Sequence, residues 1–195
     1  QYSRWIFMVL TIGALFVLFD SCWDPDPKPG PQPAPTPGVH NSWWAQAPGT
    51  EVLKNPEKFL PLRGYVEGVI GRFRDDSRLH GWDIWNEPDN GNATRYNGKD
   101  IEKADIILPF LIKSFAWARN TRPSQPLTGG PWAGDWSGDD VLSPVNYFLL
   151  HESDVISFHV YGDAKKSRDW ATQLQRFGRP IVCTEYMARN LGSTV

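Results

Sequence analysis

Leu62-Arg-Gly-Tyr-Val-Glu-Gly-Val-Ile-Gly-Arg-Phe-Arg74, followed at once by Leu79-His-Gly-Trp-Asp-Ile-Trp85, decides the fold class. In the first stretch Leu62, Tyr65, Val66, Val69, Ile70 and Phe73 recur at three- and four-residue spacing, which predicts an amphipathic helix. The second stretch is short and apolar, as a buried strand is. The same alternation repeats downstream. A helix over 101–119, with Ile106, Ile107, Phe110, Leu111 and Phe115 on one face, precedes a short strand over 126–130. Helical patterns over 141–152 and 167–177 precede strands over 154–160 and 179–184. Upstream, residues 14–19 read as a fifth strand, apolar on both faces. Strands alternating with helices imply a parallel sheet with right-handed crossovers, arranged as a doubly wound open sheet or as a (β/α)8 barrel. No Gly-x-Gly-x-x-Gly or Walker A pattern follows any strand, which takes support from the nucleotide-binding arrangements.

Polar residues gather just past the later strands: Asn86-Glu-Pro-Asp89, Trp132 to Asp135, His159 with Tyr161, and Glu185-Tyr186. Reactive groups at successive strand ends are what the functional face of a barrel carries. Glu87 and Glu185 each follow an apolar strand, so parallel strands bring both carboxyls to one rim. Two carboxyls are the minimal apparatus for cleaving an acetal: one protonates the leaving oxygen, and the other attacks the anomeric carbon or activates water. The bland alternative is that each glutamate caps the helix after its strand. Trp82 and Trp85 favour the chemical reading, because indole faces stack on sugar rings and desolvate a neighbouring carboxyl.

Composition excludes other classes. The chain has 195 residues, 20 Lys+Arg against 22 Asp+Glu, and a net charge of -2, so it lacks the basic surplus of a nucleic-acid surface. Its two cysteines, Cys22 and Cys183, cannot build a disulfide scaffold or a four-cysteine zinc site. Ten Trp, ten Phe and six Tyr exceed what a core of this size needs, so some rings are expected to face a ligand.

The N-terminal apolar run, Trp5 to Phe19, is too short for a stable membrane span. It reads either as the 14–19 strand or as the apolar stretch of an export signal ending near Cys22. Seven prolines between Asp24 and Gly38 make that tract extended or turning. It is a linker or, with Trp43 and Trp44 just beyond it, a strand-end loop over 24–50.

Trp85-Asn-Glu-Pro88 and Cys183-Thr-Glu-Tyr186 resemble the acid/base and nucleophile motifs of clan A retaining glycoside hydrolases. That group includes family 5 cellulases and mannanases and the barrel domains of family 2. The segments 16–23, 82–90, Ser157-Phe-His-Val-Tyr161 and Thr184-Glu-Tyr-Met-Ala-Arg189 are similar to bacterial cellulase-like members of it. The resemblance runs from about Gly13 to the C-terminus. It implies an incomplete (β/α)8 TIM barrel holding strands three to seven, in one partial domain over 1–195. Strands one, two and eight are then expected outside this chain, since a full barrel takes about 250 residues. The five strands alone would form an open arc of little activity, prone to aggregate at its edges.

By resemblance Glu87 is the acid/base and Glu185 the nucleophile of a double displacement on a β-linked glycan. Asn86 would bond the sugar 2-hydroxyl, while His159 and Tyr161 line the subsite, with the tyrosine hydroxyl on the nucleophile. Trp23, Trp43, Trp44, Trp132 and Trp136 are candidate sugar platforms. Cys22 and Cys183, on strands well apart, remain unpaired. The chemistry needs no metal or organic cofactor, its partner is an oligo- or polysaccharide, and enzymes on polysaccharides are usually exported. Two alternatives stay open: a carbohydrate-binding barrel remnant without turnover, and a metal hydrolase using His40, His80, His151 and His159. The latter set lacks the spacing that puts two ligands on one helix face.

Overall fold

The computed structural model describes residues 6–7, 14–17, 48–90 and 100–186. Its strands are β1 (Ile6–Phe7), β2 (Ala14–Val17), β3 (Leu79–Asp83), β4 (Leu127–Thr128), β5 (Ile156–Val160) and β6 (Ile181–Tyr186). Its helices are α1 (Thr50–Leu53), α2 (Leu60–Phe73), α3 (Asp100–Asn120), α4 (Pro144–Glu152) and α5 (Ala164–Leu174). Of the strand expected over 14–19, Ala14–Val17 is β2, and residues 18 and 19 lie outside the described residues. The proline tract, Cys22, Trp23, His40, Trp43 and Trp44 lie outside the described residues.

All pairings are parallel, in two three-stranded sheets of order β2-β3-β4 and β1-β6-β5. The expected five-stranded arc is corrected in two respects. A sixth strand, β1, pairs with β6, so the strand carrying Glu185 is not an edge of the described sheet. The sheet is also interrupted: β4 is two residues long and meets the β5 segment through side chains and one backbone hydrogen bond, without a ladder. Thr128 Oγ1 and Ser157 Oγ hydrogen-bond at 2.8 Å, and Asp154 N–H donates to the Leu127 carbonyl at 2.8 Å. Among the described residues the strands form these two short sheets, without closing as a barrel.

Helix periodicity translates into burial. In α3 Ile107, Phe110 and Leu111 are fully buried and Phe115 nearly so, while in α2 Val66 and Ile70 face inward. Tyr65, expected on the buried face of α2, is 45% exposed and lies at the edge of that face, whose centre is Val66 and Ile70. Start signals are local. Ser143 accepts from Asn146 N–H at 3.1 Å to cap α4, and Asp163 accepts from Lys166 N–H at 2.8 Å to cap α5. The chain leaves the turn after α5 through Gly178, whose φ of 68° suits glycine.

Two apolar clusters result. One packs Trp82, Trp85 and Ile84 under α2 and α3, and the other packs Phe158 and Ile181 under α5 with Trp136. Among the described residues no helix is long and apolar enough to cross a membrane.

Asp154 joins the two halves. Its Oδ2 accepts the Leu127 N–H at 2.8 Å and its Oδ1 takes Arg119 Nη1 at 3.0 Å. Asp154→Ala strands a buried backbone donor and is expected to lower stability by about 1–3 kcal/mol. Asp154→Asn, which keeps an acceptor, should lose less. Equal losses for the two in urea denaturation would contradict this role.

Candidate active site

The stretch after β3 turns sharply. Glu87 takes φ 45°, a left-handed conformation that a residue with a Cβ adopts only under constraint. The constraints are visible. Glu87 N–H donates to the Gly130 carbonyl at 2.8 Å, and its own carbonyl accepts Asn90 N–H at 2.9 Å. Asn90 Nδ2 donates to Glu87 Oε2 at 2.6 Å. The other carboxylate oxygen, Oε1, lies 2.5 Å from His159 Nδ1.

Glu185 arrives from the other sheet. The β5–β6 ladder shifts register between Phe158 and His159, so that Phe158 pairs with Cys183 but His159 pairs with Glu185. One extra residue, Thr184, is absorbed there, as in a β-bulge, and the glutamate takes the place beside the histidine. His159 Nε2 stands 3.5 Å from Glu185 Oε1, and Tyr161 O–H donates to Glu185 Oε2. One carboxylate oxygen from each of Glu87 and Glu185 and one ring nitrogen of His159 all lie within 4.8 Å of one another.

The two carboxyls differ in environment. The Glu87 side chain is 9% exposed and the Glu185 side chain 35%, so one sits at the base of the site and the other at its mouth. His159 is buried, which by itself disfavours the imidazolium. The hydrogen bond to Glu87 and the charges of Glu185, Glu87 and Asp83 outweigh that burial and hold His159 above its ordinary value. Burial, together with the Glu185 carboxylate beside it, pushes the Tyr161 hydroxyl well up, so it stays a proton donor to Glu185. Burial also raises the Cys183 thiol, and Cys183 is a free cysteine.

The expected residues thus separate into groups. Glu87, Glu185, His159 and Tyr161 are brought together, and Asn86 adjoins them: its Oδ1 and the His159 ring both face Gly130. Trp132 is half-buried two residues further along. Trp82 and Trp85 do not line a sugar site. Both are fully buried, Trp82 bonded through Nε1 to Gln125 Oε1 at 3.1 Å and Trp85 edge-on to Phe110 at 5.5 Å.

Trp136 is likewise a core ring. It is fully buried against Trp170 and Phe158, and Arg176 Nε donates to its carbonyl at 2.9 Å. The described histidines do not share a ligand cluster. His80 is exposed on β3, and His151 lies on α4 beside Asp139, Tyr147 and Phe177.

No family model and no curated protein matches the sequence. Among solved structures the chain is similar to the β-1,4-mannanase of the sea hare Aplysia kurodai, with a TM-score of 0.50 at 19% identity over 74% of this chain. The mannanase and this chain share a fold. A GH2 β-galacturonidase from Eisenbergiella tayi is matched at a TM-score of 0.47 and 14% identity, over 71% of this chain. A β-glucuronidase from Bifidobacterium dentium is matched at 0.47 and 21%, over 70%. These neighbours are glycoside hydrolases. The chain spans 51% of the mannanase and 23% and 21% of the other two.

Asn90, Gly130 and Asp83 were not singled out from the sequence as site residues. Asn90 carried a signal, an amide placed to close the turn after Glu-Pro-Asp. Gly129-Gly130 at a strand end signals close backbone approach. Asp83 looked like any strand residue before the turn.

The raised His159 value has a stability consequence. A group whose folded value lies above its unfolded one stabilises fully below the unfolded value, here 6.5, and loses that contribution as pH rises through the folded value. The stability advantage of the wild type over His159→Asn is expected to shrink as pH rises above the unfolded value of 6.5. A gap in urea midpoints that stays constant or widens over that range would contradict it.

Proposed function

We propose that this protein is a retaining glycoside hydrolase that cleaves β-glycosidic bonds in a β-linked glucan, mannan or related glycan by double displacement. The observation that carries the reading is the pairing of Glu87 with Glu185, one oxygen of each within 4.8 Å of the other. Retaining pairs stand about 5–5.5 Å apart between carboxyl groups, whereas inverting pairs leave room for a water at about 6.5–9.5 Å.

Each side chain then has a task. Glu185 Oε1 attacks the anomeric carbon, while Tyr161 holds Oε2 and fixes the carboxylate plane. The glycosidic oxygen leaves with a proton from Glu87, whose Oε1 is oriented by His159 and whose Oε2 is oriented by Asn90. The product is a glycosyl ester on Glu185. Glu87 then takes a proton from water, which attacks the same carbon and releases Glu185 as carboxylate. Asn86 bonds the 2-hydroxyl of the sugar under attack, and Trp23, Trp43 and Trp132 are the candidate platforms. The fold shared with the mannanase, itself a glycoside hydrolase, supports the hydrolase reading.

The test is release of chromophore from aryl β-gluco- and β-mannosides, with the anomer of the first sugar released read by proton NMR. It is measured on the 195 residues and on the longest reading frame that carries them. Release of the β-anomer first is expected. An α-anomer would overturn retention, and glycan binding without turnover in either form would leave a carbohydrate-binding module.

A further inference from the structure

Gly129 and Gly130, just past β4, face opposite ways. A Cβ at Gly129 would stand 2.5 Å from Leu149 Cδ2 and 3.4 Å from Phe115 Cζ, inside the helix layer. A Cβ at Gly130 would stand 3.1 Å from His159 Nε2, 3.3 Å from His159 Cε1 and 3.5 Å from Asn86 Oδ1. The Gly130 carbonyl also holds the Glu87 N–H at 2.8 Å.

We propose that Gly130 is a positioning residue of the active site. The space left by its missing side chain sets where His159 stands between Glu87 and Glu185, and its carbonyl fixes the strained backbone of Glu87. This rests on the hydrolase reading for its catalytic consequence, though not for its geometry.

The histidine has little room to give way. It is 2% exposed, tied at Nδ1 to Glu87 at 2.5 Å, and flanked at Nε2 by Glu185 at 3.5 Å. A methyl group on Gly130 asks its neighbour to move by a few tenths of an ångström. The ring can supply that only by tilting, which alters its distances to both carboxyls. Asn86 feels the same methyl, so the site is disturbed on two sides.

Gly130 is suited to a clean test. Gly178 is the glycine with positive φ among the described residues, so Gly130 has a backbone that alanine adopts without strain. Alanine also narrows the unfolded ensemble, which offsets part of any packing loss. A misplacement of about 1 Å at a reacting group costs roughly 10²-fold in rate, so a shift of a few tenths is expected to cost about tenfold.

Gly130→Ala and Gly129→Ala would be compared in the full chain by thermal melting, by NMR titration of the His159 ring assigned with His159→Asn, and by the pH profile of kcat/KM on an aryl β-glycoside. The groups facing that ring are Glu87, Glu185 and Asp83. In Gly130→Ala the melting temperature should stay near wild type, the His159 resonances and titration midpoint should move, and kcat/KM should fall about tenfold with a displaced pH profile. Gly129→Ala should lower the melting temperature through Leu149 and leave the His159 titration in place. The proposal is overturned if His159 titrates in Gly130→Ala as in wild type, whatever the activity, or if both variants lose stability alike. A wild type that hydrolyses no glycoside removes the hydrolase reading, and the NMR comparison still decides whether Gly130 places His159.

Discussion

Glu185→Gln is expected to lower aryl β-glycoside hydrolysis on the order of 10⁴-fold or more, because no glycosyl ester can form without the carboxylate. Glu87→Gln should cost about 10²–10⁴-fold on substrates with poor leaving groups, the range of a general acid. On a dinitrophenyl glycoside, whose leaving group needs no proton, the first step should survive in Glu87→Gln and show as a burst of chromophore. The burst separates the two roles. If Glu185→Gln gave the burst and Glu87→Gln did not, the assignments would be exchanged. Glutamine keeps the shape of each side chain, so a loss reports charge and proton transfer; an unchanged melting temperature would confirm that the fold is intact.

Phe110→Ala should destabilise the fold by about 3–5 kcal/mol, the range for deleting a buried phenylalanine. The ring is fully buried, with Phe59, Trp85 and Trp117 edge-on at 5.0, 5.5 and 6.0 Å. Edge-to-face pairs add about 0.5–1.5 kcal/mol each beyond the area they bury. Against a total stability of about 5–15 kcal/mol, the loss is large enough to leave much of the protein unfolded when warmed. Phe110→Leu, which fills most of the volume, should lose clearly less. A loss below about 1 kcal/mol for Phe110→Ala would mean that α3 does not close over Trp85 as described. Because Trp85 stands two residues before Glu87, loosening this cluster should also lower activity at temperatures where the protein remains folded.

The strands and helices were legible because burial imposes a period on the chain. Ile107, Phe110 and Leu111 lie on one face of α3 for the reason their spacing announced, and the apolar run Ala14–Val17 forms β2, paired with β3. The two glutamates were legible as strand-end carboxyls, and His159 and Tyr161 as their neighbours. The indoles were misread. Trp82 and Trp85 carry no local mark that separates a ring stacked on sugar from one packed under a helix, and α2 and α3 decided the matter by covering them.

By itself, then, the sequence determined the alternation of elements, the parallel sense of the strands and the strand-end side chains that gather at the candidate site, since each depends on neighbours a few residues apart. Tertiary structure alone decided the register. The shift between Phe158 and His159 replaces Thr184 with Glu185 opposite the histidine, and no residue in β6 announces it. The same holds for the pairing of β1 with β6 and for the approach of Gly130 to His159, which join residues far apart in the chain. A short, two-residue β4 joins the next strand through Asp154, Thr128 and Ser157, and that join brings two sheets, and with them two carboxyls, within reach of one ring. Long-range contacts of this kind are set by packing of the whole chain, and so are not encoded in any local period.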